Sequence, residues 1–295
     1  MAILFDTQLR AGSILRCEGR EVIDIHSEEA NHCHPKRVCV LNLLTDKPEA
    51  ETQWLRGLSC ADCDVSVTFF MVESYIPRHT CREYLGKYYR TTSQIMEEQY
   101  DGLIVTGADV ERYSFETLGI WPELEKIFDW ADGHVNATFF SCWASMAAAY
   151  HYYGIHKEST GPKISGVYSH TMPHPEHALM NDITAPIYIP QSRYTRPEES
   201  EVFEKLTVLA QSENGWPTVY CDDEKRRLFV VGHWEYEPYI LKNQYVRDIS
   251  RGLDPQAPAN YFDLNGNIRT DQDWSHSFHL MMRNWVKHYV CGKVG

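Results

Sequence analysis

Short apolar runs closed by turn residues recur along the chain, and most are too short to be helices. Residues 38–44, Val38-Cys39-Val40-Leu41-Asn42-Leu43-Leu44, have the length and β-branched content of a buried strand. Residues 49–58 follow with Trp54, Leu55 and Leu58 on one helical face and Glu49 and Glu51 near the start, where the helix dipole favours carboxylates. The alternation repeats. The pattern predicts strands over 65–72, over 101–107 ending in Gly107, and over 137–140, with a helix over 122–130 opened by Pro122. An Ala-rich helix over 143–153 should stop at Gly154, a residue suited to a left-handed cap. A further strand over 227–232 and helices over 239–249 and 275–290 close the chain.

Strands alternating with helices predict an α/β fold, a mostly parallel sheet with helices on both faces. Residues 1–35 carry no sustained period and are expected as an irregular N-terminal arm, leaving residues 36–295 as a single α/β domain. In such sheets ligands collect just beyond the carboxyl ends of the strands. That rule points to the loops beginning at Thr45, Gly107, Ser141 and Gly232.

Composition narrows the function. The chain has 295 residues, 43% hydrophobic and 13% aromatic, which excludes a disordered chain. With 41 acidic against 28 basic residues the net charge is −13, and no basic stripe interrupts it. Such a field repels phosphate backbones and anionic lipid, so neither nucleic acid nor membrane is an expected partner. No apolar stretch is long enough to span a bilayer and residues 1–20 lack an apolar signal core, so the expected location is the cytoplasm. Nine cysteines, an odd number, leave at least one thiol free and argue against a disulfide framework.

One of those thiols stands where chemistry is easiest. In Ala137-Thr138-Phe139-Phe140-Ser141-Cys142-Trp143-Ala144 an apolar strand runs directly into a helix with Cys142 at the turn. A thiol there faces the first amides of the helix, which favour a thiolate and can hold an oxyanion. Cysteine after a strand is more often packing than nucleophile, so a partner is needed. Val230-Val231-Gly232-His233-Trp234-Glu235 supplies one at another strand end: His233 as base, Glu235 as the acceptor that orients it.

These segments, with Leu41-Asn42-Leu43 followed by Lys47, resemble the homoserine O-succinyltransferase/O-acetyltransferase family of methionine biosynthesis. Asp101-Gly102-Leu103-Ile104-Val105-Thr106-Gly107-Ala108, Ser165-Gly166-Val167-Tyr168, Ser192-Arg193-Tyr194, Arg247-Asp248 and Gly252-Leu253-Asp254-Pro255 extend the likeness in the same order, over roughly residues 36 to 290. The resemblance implies a class I glutamine amidotransferase-like, flavodoxin-like fold and a Cys142–His233–Glu235 triad. It implies a ping-pong transfer in which Cys142 takes the acyl group from acyl-CoA and an amino-acid hydroxyl receives it, with no bound cofactor. The Trp143 amide and Lys47 are implied as oxyanion partners, and Lys163, Ser192, Arg193 and Arg247 as substrate residues. Glu111 stands where the family sets acyl choice, Gly accompanying succinyl and Glu acetyl. A carboxylate there repels the free carboxylate of a succinyl group. Acetyl-CoA is therefore the expected donor and L-homoserine the expected acceptor, with a homodimer as in the family.

The chain also departs from the family pattern. His-Pro-Glu-Tyr-Asp is replaced by His233-Trp234-Glu235-Tyr236-Glu237, the Glu three before the substrate arginine by Gln244, Met-Pro by Leu44-Thr45, and a common His by Gln191. Gln244 keeps a hydrogen-bond acceptor for the substrate ammonium and loses the charge. Gln244 and Trp234 together set L-serine or another hydroxy-amino acid as the alternative acceptor. A cysteine hydrolase or amidotransferase on the same fold is the rival from another class, and an intact triad argues against a binding protein. Cys60-Ala61-Asp62-Cys63, His32-Cys33-His34 and the trio His170, His174 and His177 lack a complete ligand set at metal spacing, so no metal is expected.

Overall fold

The computed structural model describes residues 1–77 and 80–292. Twelve strands form one sheet: β1 (Ile3–Phe5), β2 (Val22–Asp24), β3 (Lys36–Leu41), β4 (Val65–Met71), β5 (Arg90–Thr91), β6 (Tyr100–Val105), β7 (Val135–Ser141), β8 (Lys157–Thr171), β9 (Ile187–Pro197), β10 (Thr207–Ser212), β11 (Pro217–Asp222) and β12 (Arg227–Val230). The helices are α1 (Arg10–Cys17), α2 (Lys47–Leu58), α3 (Arg82–Tyr88), α4 (Thr92–Met96), α5 (Trp121–His134), α6 (Trp143–Tyr153), α7 (Glu199–Lys205), α8 (Ile240–Ser250) and α9 (Ser275–Trp285). A π-helical turn, Val286–Val290, continues α9.

The strand order is β2-β1-β4-β3-β6-β7-β12-β11-β10-β8-β9, with β5 added beside β4. From β2 to β12 every pairing is parallel, and from β12 to β9 every pairing is antiparallel. The α/β architecture is as expected, while the sheet is mixed: one half parallel, one half antiparallel.

Residues 1–35 are not an irregular arm. Ile3–Phe5 pairs with both β2 and β4, and Leu15 of α1 lies in the core, so this segment builds the outer edge of the sheet. Three-residue strands are too short to show a period of two, which is why the pattern conceals them.

Alternation along the central strands divides the core between the two faces. Val38 and Val40 pack with Trp54 of α2 and Met281 and Trp285 of α9, whereas Cys39 and Leu41 pack with Leu124 and Phe128 of α5 and Met146 of α6. The parallel strands are apolar on both sides because both sides are covered. α2 begins at an Asp46 cap whose carboxylate accepts the Glu49 amide, and α6 ends at Gly154 in the left-handed conformation, φ 65°. No helix among the described residues is long and apolar enough to cross a membrane.

Candidate active site

The carboxyl ends of β3, β6, β7 and β12 lie side by side, and the loops leaving them build the site. β7 passes into α6 through Cys142 alone, at φ 51° and ψ −120°. A non-glycine residue at positive φ is strained and persists only where its surroundings fix it. Here the Cys142 amide donates to the Val230 carbonyl at 2.7 Å, and its own carbonyl accepts the Ser145 amide at 3.0 Å and the Ser145 hydroxyl at 2.6 Å. The turn lifts the thiol off the sheet edge and aims it across the start of α6, where the first amides, Trp143 foremost, have no partner within the helix.

His233 follows β12. Its amide donates to the Pro190 carbonyl at 2.8 Å, so β9 fixes the backbone of the loop. The His233 Nδ1 lies 2.8 Å from Glu235 Oε1, and the other carboxylate oxygen accepts the Ser141 hydroxyl at 3.4 Å. With Nδ1 held by Glu235, the opposite edge of the ring is on the side of Cys142: Cys142 Sγ and His233 Cε1 lie 3.5 and 3.4 Å from the same point, the place a Cβ on Gly107 would take. Burial pulls the imidazole pKa down, but the negative charge of Cys142 and Glu235 beside it outweighs burial and holds it well above the ordinary histidine value. Tyr236 lies flat on His233, ring centroids 4.0 Å apart and 12° from parallel. Burial raises the Tyr236 phenol well above its usual pKa, with Glu235 and Cys142 adding to the rise, so it stays a neutral platform.

Cys142 and His233 open into a chamber that also contains Glu111, Lys163, Ser192, Gln244 and Arg247. Glu111 accepts the Tyr194 amide at 3.0 Å, and burial raises its pKa. Gln244 bridges two walls: it accepts the Ser192 hydroxyl at 2.7 Å and donates to the Tyr236 oxygen at 3.0 Å. Asp248 pairs with Lys163 at 3.6 Å and with the Arg247 guanidinium at 3.0 Å.

Three residues singled out from the sequence lie elsewhere. Arg193 does not line the chamber: only 4% exposed, it points behind it, donating to Gln191 Oε1 and to the Thr195 carbonyl at 2.8 Å each. Burial pulls its pKa down to about 10, opposed by the charges of Cys142 and Glu111. Trp234 faces the opposite way from His233, into the core under α9, with its indole N–H on Ser277 at 3.1 Å. The indole therefore does not reshape the acceptor pocket, and of the two departures that motivate another acceptor only Gln244 lies in the chamber. Lys47 lies in an adjoining cavity, its ammonium donating to the Asn42 carbonyl beside the Tyr89 ring.

Burial of Lys47, 2% exposed, pulls its pKa down to about 8, partly offset by Glu51. A lysine whose folded pKa is lowered opposes folding while charged, and the penalty fades as pH rises from the folded toward the unfolded value. Between pH 8 and about 10.5 the wild type is expected to gain about 3 kcal/mol of unfolding free energy from this group. Lys47→Met should lack that gain. Urea unfolding of both proteins at pH 7 and pH 10 checks it, and parallel pH dependence in the two would refute it.

The sequence places Gly107 and Ser141 at the heads of site loops without a role, and gives none to Tyr236; the structure makes Ser141 a hydrogen-bond donor to Glu235 and Tyr236 the platform for His233. A Cβ on Gly107 would lie 3.0 Å from Cys142 Cβ and 3.4 Å from His233 Cε1, so this strand end roofs the reacting pair. All three stand within or beside the quoted motifs, but only packing reveals what they touch.

The remaining clusters have structural partners. Cys63 lies 3.5 Å from Cys291 Sγ, and Cys60 donates to the Arg56 carbonyl. All nine cysteines are free. His170 is buried between the Tyr168 carbonyl and the Thr218 hydroxyl, and burial pulls its pKa down to about 4. His177 gathers with Cys221 and Asp223. Its Nδ1 accepts the Leu179 amide at 3.2 Å, so its proton sits on Nε2, directed at Asp223 at 3.0 Å. A metal-bound histidine donates from its free nitrogen, and this ring does the reverse.

Comparison with known proteins bears on the family and the fold. The family model described as homoserine O-succinyltransferase matches residues 2–294. A homoserine O-acetyltransferase from Thermotoga neapolitana is 37% identical, over 100% of this chain and 97% of its own length. One from Methanomassiliicoccus intestinalis is 36% identical over 98% and 95%. A homoserine O-succinyltransferase from Alteromonas mediterranea is 34% identical over 98% and 94%. Among solved structures, a glutamine amidotransferase from Thermotoga maritima superposes with a TM-score of 0.59 at 11% identity, covering 88% of this chain and 99% of that one. Another, from Methylobacillus flagellatus, gives 0.57 at 14%, covering 86% and 95%. The likeness at that identity is one of fold, the class I glutamine amidotransferase-like fold.

Proposed function

The chain belongs to the homoserine O-succinyltransferase family and is an acyltransferase, and from that premise we propose that it transfers an acetyl group from acetyl-CoA to the hydroxyl of L-homoserine. The observation that carries this reading is one chamber lined by Cys142, His233 and the Glu111 carboxylate, with Glu235 holding the far side of His233.

Transfer proceeds in two halves. The Cys142 sulfur attacks the thioester carbonyl, the bond from that carbon to the CoA sulfur breaks, and the leaving thiolate takes the proton carried by the His233 imidazolium. His233, now neutral, accepts the proton of the acceptor hydroxyl as its oxygen bonds to the acyl carbon and the Cys142 sulfur departs. Glu235 holds the ring through Nδ1 in both halves, and the Trp143 amide at the start of α6 is the oxyanion donor. No bound cofactor is needed for either half, and the setting is the cytoplasm.

Glu111 supports acetyl over succinyl. A succinyl group would bring a second carboxylate into a buried space that already contains one, which is repulsive. Glu111→Gly is expected to raise kcat/KM for succinyl-CoA relative to acetyl-CoA by about a hundred-fold. CoA release from each donor, crossed with homoserine, serine and threonine, tests both ends of the reaction. Faster wild-type turnover with succinyl-CoA would overturn the donor assignment. A specificity constant for serine above that for homoserine would transfer the acceptor assignment to serine, with Gln244 as the cause.

A further inference from the structure

Two cavities open side by side at the carboxyl ends of the parallel strands, and their linings differ in kind. The chamber with Cys142 and His233, about 340 Å³, is otherwise polar and charged, through Lys163, Ser192 and Gln244. The other, about 480 Å³, holds neither Cys142 nor His233 and is mainly apolar, lined by Leu43, Met71, Val72, Leu118 and Ile120, with Lys47 also in its lining. Leu44, Ala108, Asp109, Val110, Arg247 and Arg251 line both and form the wall between them.

The two arginines of that wall differ. Arg247, in the last turn of α8, is held by Asp248 at 3.0 and 3.1 Å. Arg251 follows four residues later, one turn along the same side of the helix. Among the described residues its guanidinium has no hydrogen-bond or ion-pair partner. The chain as a whole carries −13, so a polyanionic ligand approaches against the overall field and needs a local cation to be held.

An acyl thioester and a hydroxy-amino acid make opposite demands. The acceptor is a small zwitterion that needs charges at both ends. The donor brings its carbonyl to the sulfur on a long arm of methylene and amide groups, with phosphates at the far end.

Resting on the acyl-transfer reading above, we propose that the apolar cavity holds the pantetheine arm of the acyl donor and that Arg251 binds its phosphates, while the acceptor enters the polar chamber. The carbonyl then passes to Cys142 at the Ala108 end of the shared wall, next to Gly107, and the exposed Arg251 is left for the far end of the arm. The donor leaves as CoA through the apolar side, and the acceptor reaches the acyl group from the other.

Two donors with the same arm separate the parts. S-Acetylpantetheine lacks the phosphates of acetyl-CoA. Arg251→Gln is expected to raise the KM for acetyl-CoA about ten-fold or more and to shift that for S-acetylpantetheine far less. Leu118→Trp, which fills the apolar cavity, should raise the KM for both donors and leave that for homoserine within about two-fold. Calorimetric binding of CoA and of pantetheine repeats the test without turnover: Arg251→Gln should weaken CoA about ten-fold and pantetheine hardly at all. Equal CoA affinity in wild type and Arg251→Gln overturns the assignment of Arg251. Leu118→Trp raising the homoserine KM alone overturns the assignment of the cavity. A wild type that binds CoA with this dependence on Arg251 but transfers no acyl group overturns the acyl-transfer reading instead.

Discussion

Cys142→Ser is expected to lower CoA release from acetyl-CoA and homoserine by about 10⁴-fold or more, with KM for the donor little changed. The substitution keeps the shape of the elbow, because serine fits the same φ of 51° and the backbone bonds to Val230 and from Ser145 do not involve the side chain. What it removes is the sulfur. A hydroxyl at that point is a far weaker acid than a thiol, so His233 cannot hold it as an anion. Intact mass spectrometry separates chemistry from folding: wild type incubated with acetyl-CoA and no acceptor should gain the mass of one acetyl group, and the variant none. Melting temperatures should agree within about 2 °C, since one buried atom is exchanged for a similar one. A variant keeping a tenth of wild-type turnover would mean that acyl transfer does not pass through this residue.

The nucleophile was the easiest residue to find, and the reason is physical. β7 is apolar on both sides, α6 is rich in alanine, and nothing but Cys142 lies between them, so strand, turn and helix are all visible as changes of period. Gly154 closes α6 in a conformation that glycine adopts at little cost, and the end of the helix is legible to the residue. The apolar run of β12 makes the loop that follows it, with His233 and Glu235, visible in the same way.

The antiparallel half was not legible. β8 is half exposed, interrupted by Gly161 and Gly166, and most of its residues are neither clearly in nor clearly out. β9 mixes polar and apolar residues around Pro190 without a sustained apolar run, so the pattern alone does not sort its residues Ser192, Arg193 and Tyr194 by face. Successive strand residues point to opposite sides. Ser192 and Tyr194 line the chamber, and Arg193 between them is turned into the protein behind it. His233 and Trp234, in the turn after β12, likewise face opposite ways, one to Glu235 and the chamber, the other to Ser277. A family resemblance gives the order of residues along the chain, and only the register of the strand says which of two neighbours meets the ligand.

Gly107→Val is expected to lower kcat by about 10³-fold while the protein remains folded. Gly107 follows β6 with an ordinary backbone conformation, so the constraint on it is space rather than φ. A Cβ there would stand 3.0 Å from Cys142 Cβ, 3.5 Å from Cys142 Sγ and 3.4 Å from His233 Cε1. Even alanine therefore forces the nucleophile or the base to give way by a few tenths of an ångström. Displacements of about 1 Å at reacting groups cost about a hundred-fold, and the two further methyl groups of valine would stand where the thioester carbonyl must approach the sulfur. Alanine should fall between wild type and valine, at about ten- to a hundred-fold below wild type. The loss should lie in kcat, because the apolar cavity and the polar chamber are untouched beyond this point of contact. Alkylation of Cys142 by iodoacetamide should slow in the same order, which distinguishes a crowded thiol from a displaced substrate. Turnover by Gly107→Val above a tenth of wild type would show that the roof over the Cys142–His233 pair has room to move, and that the close approach of β6 does not limit the chemistry.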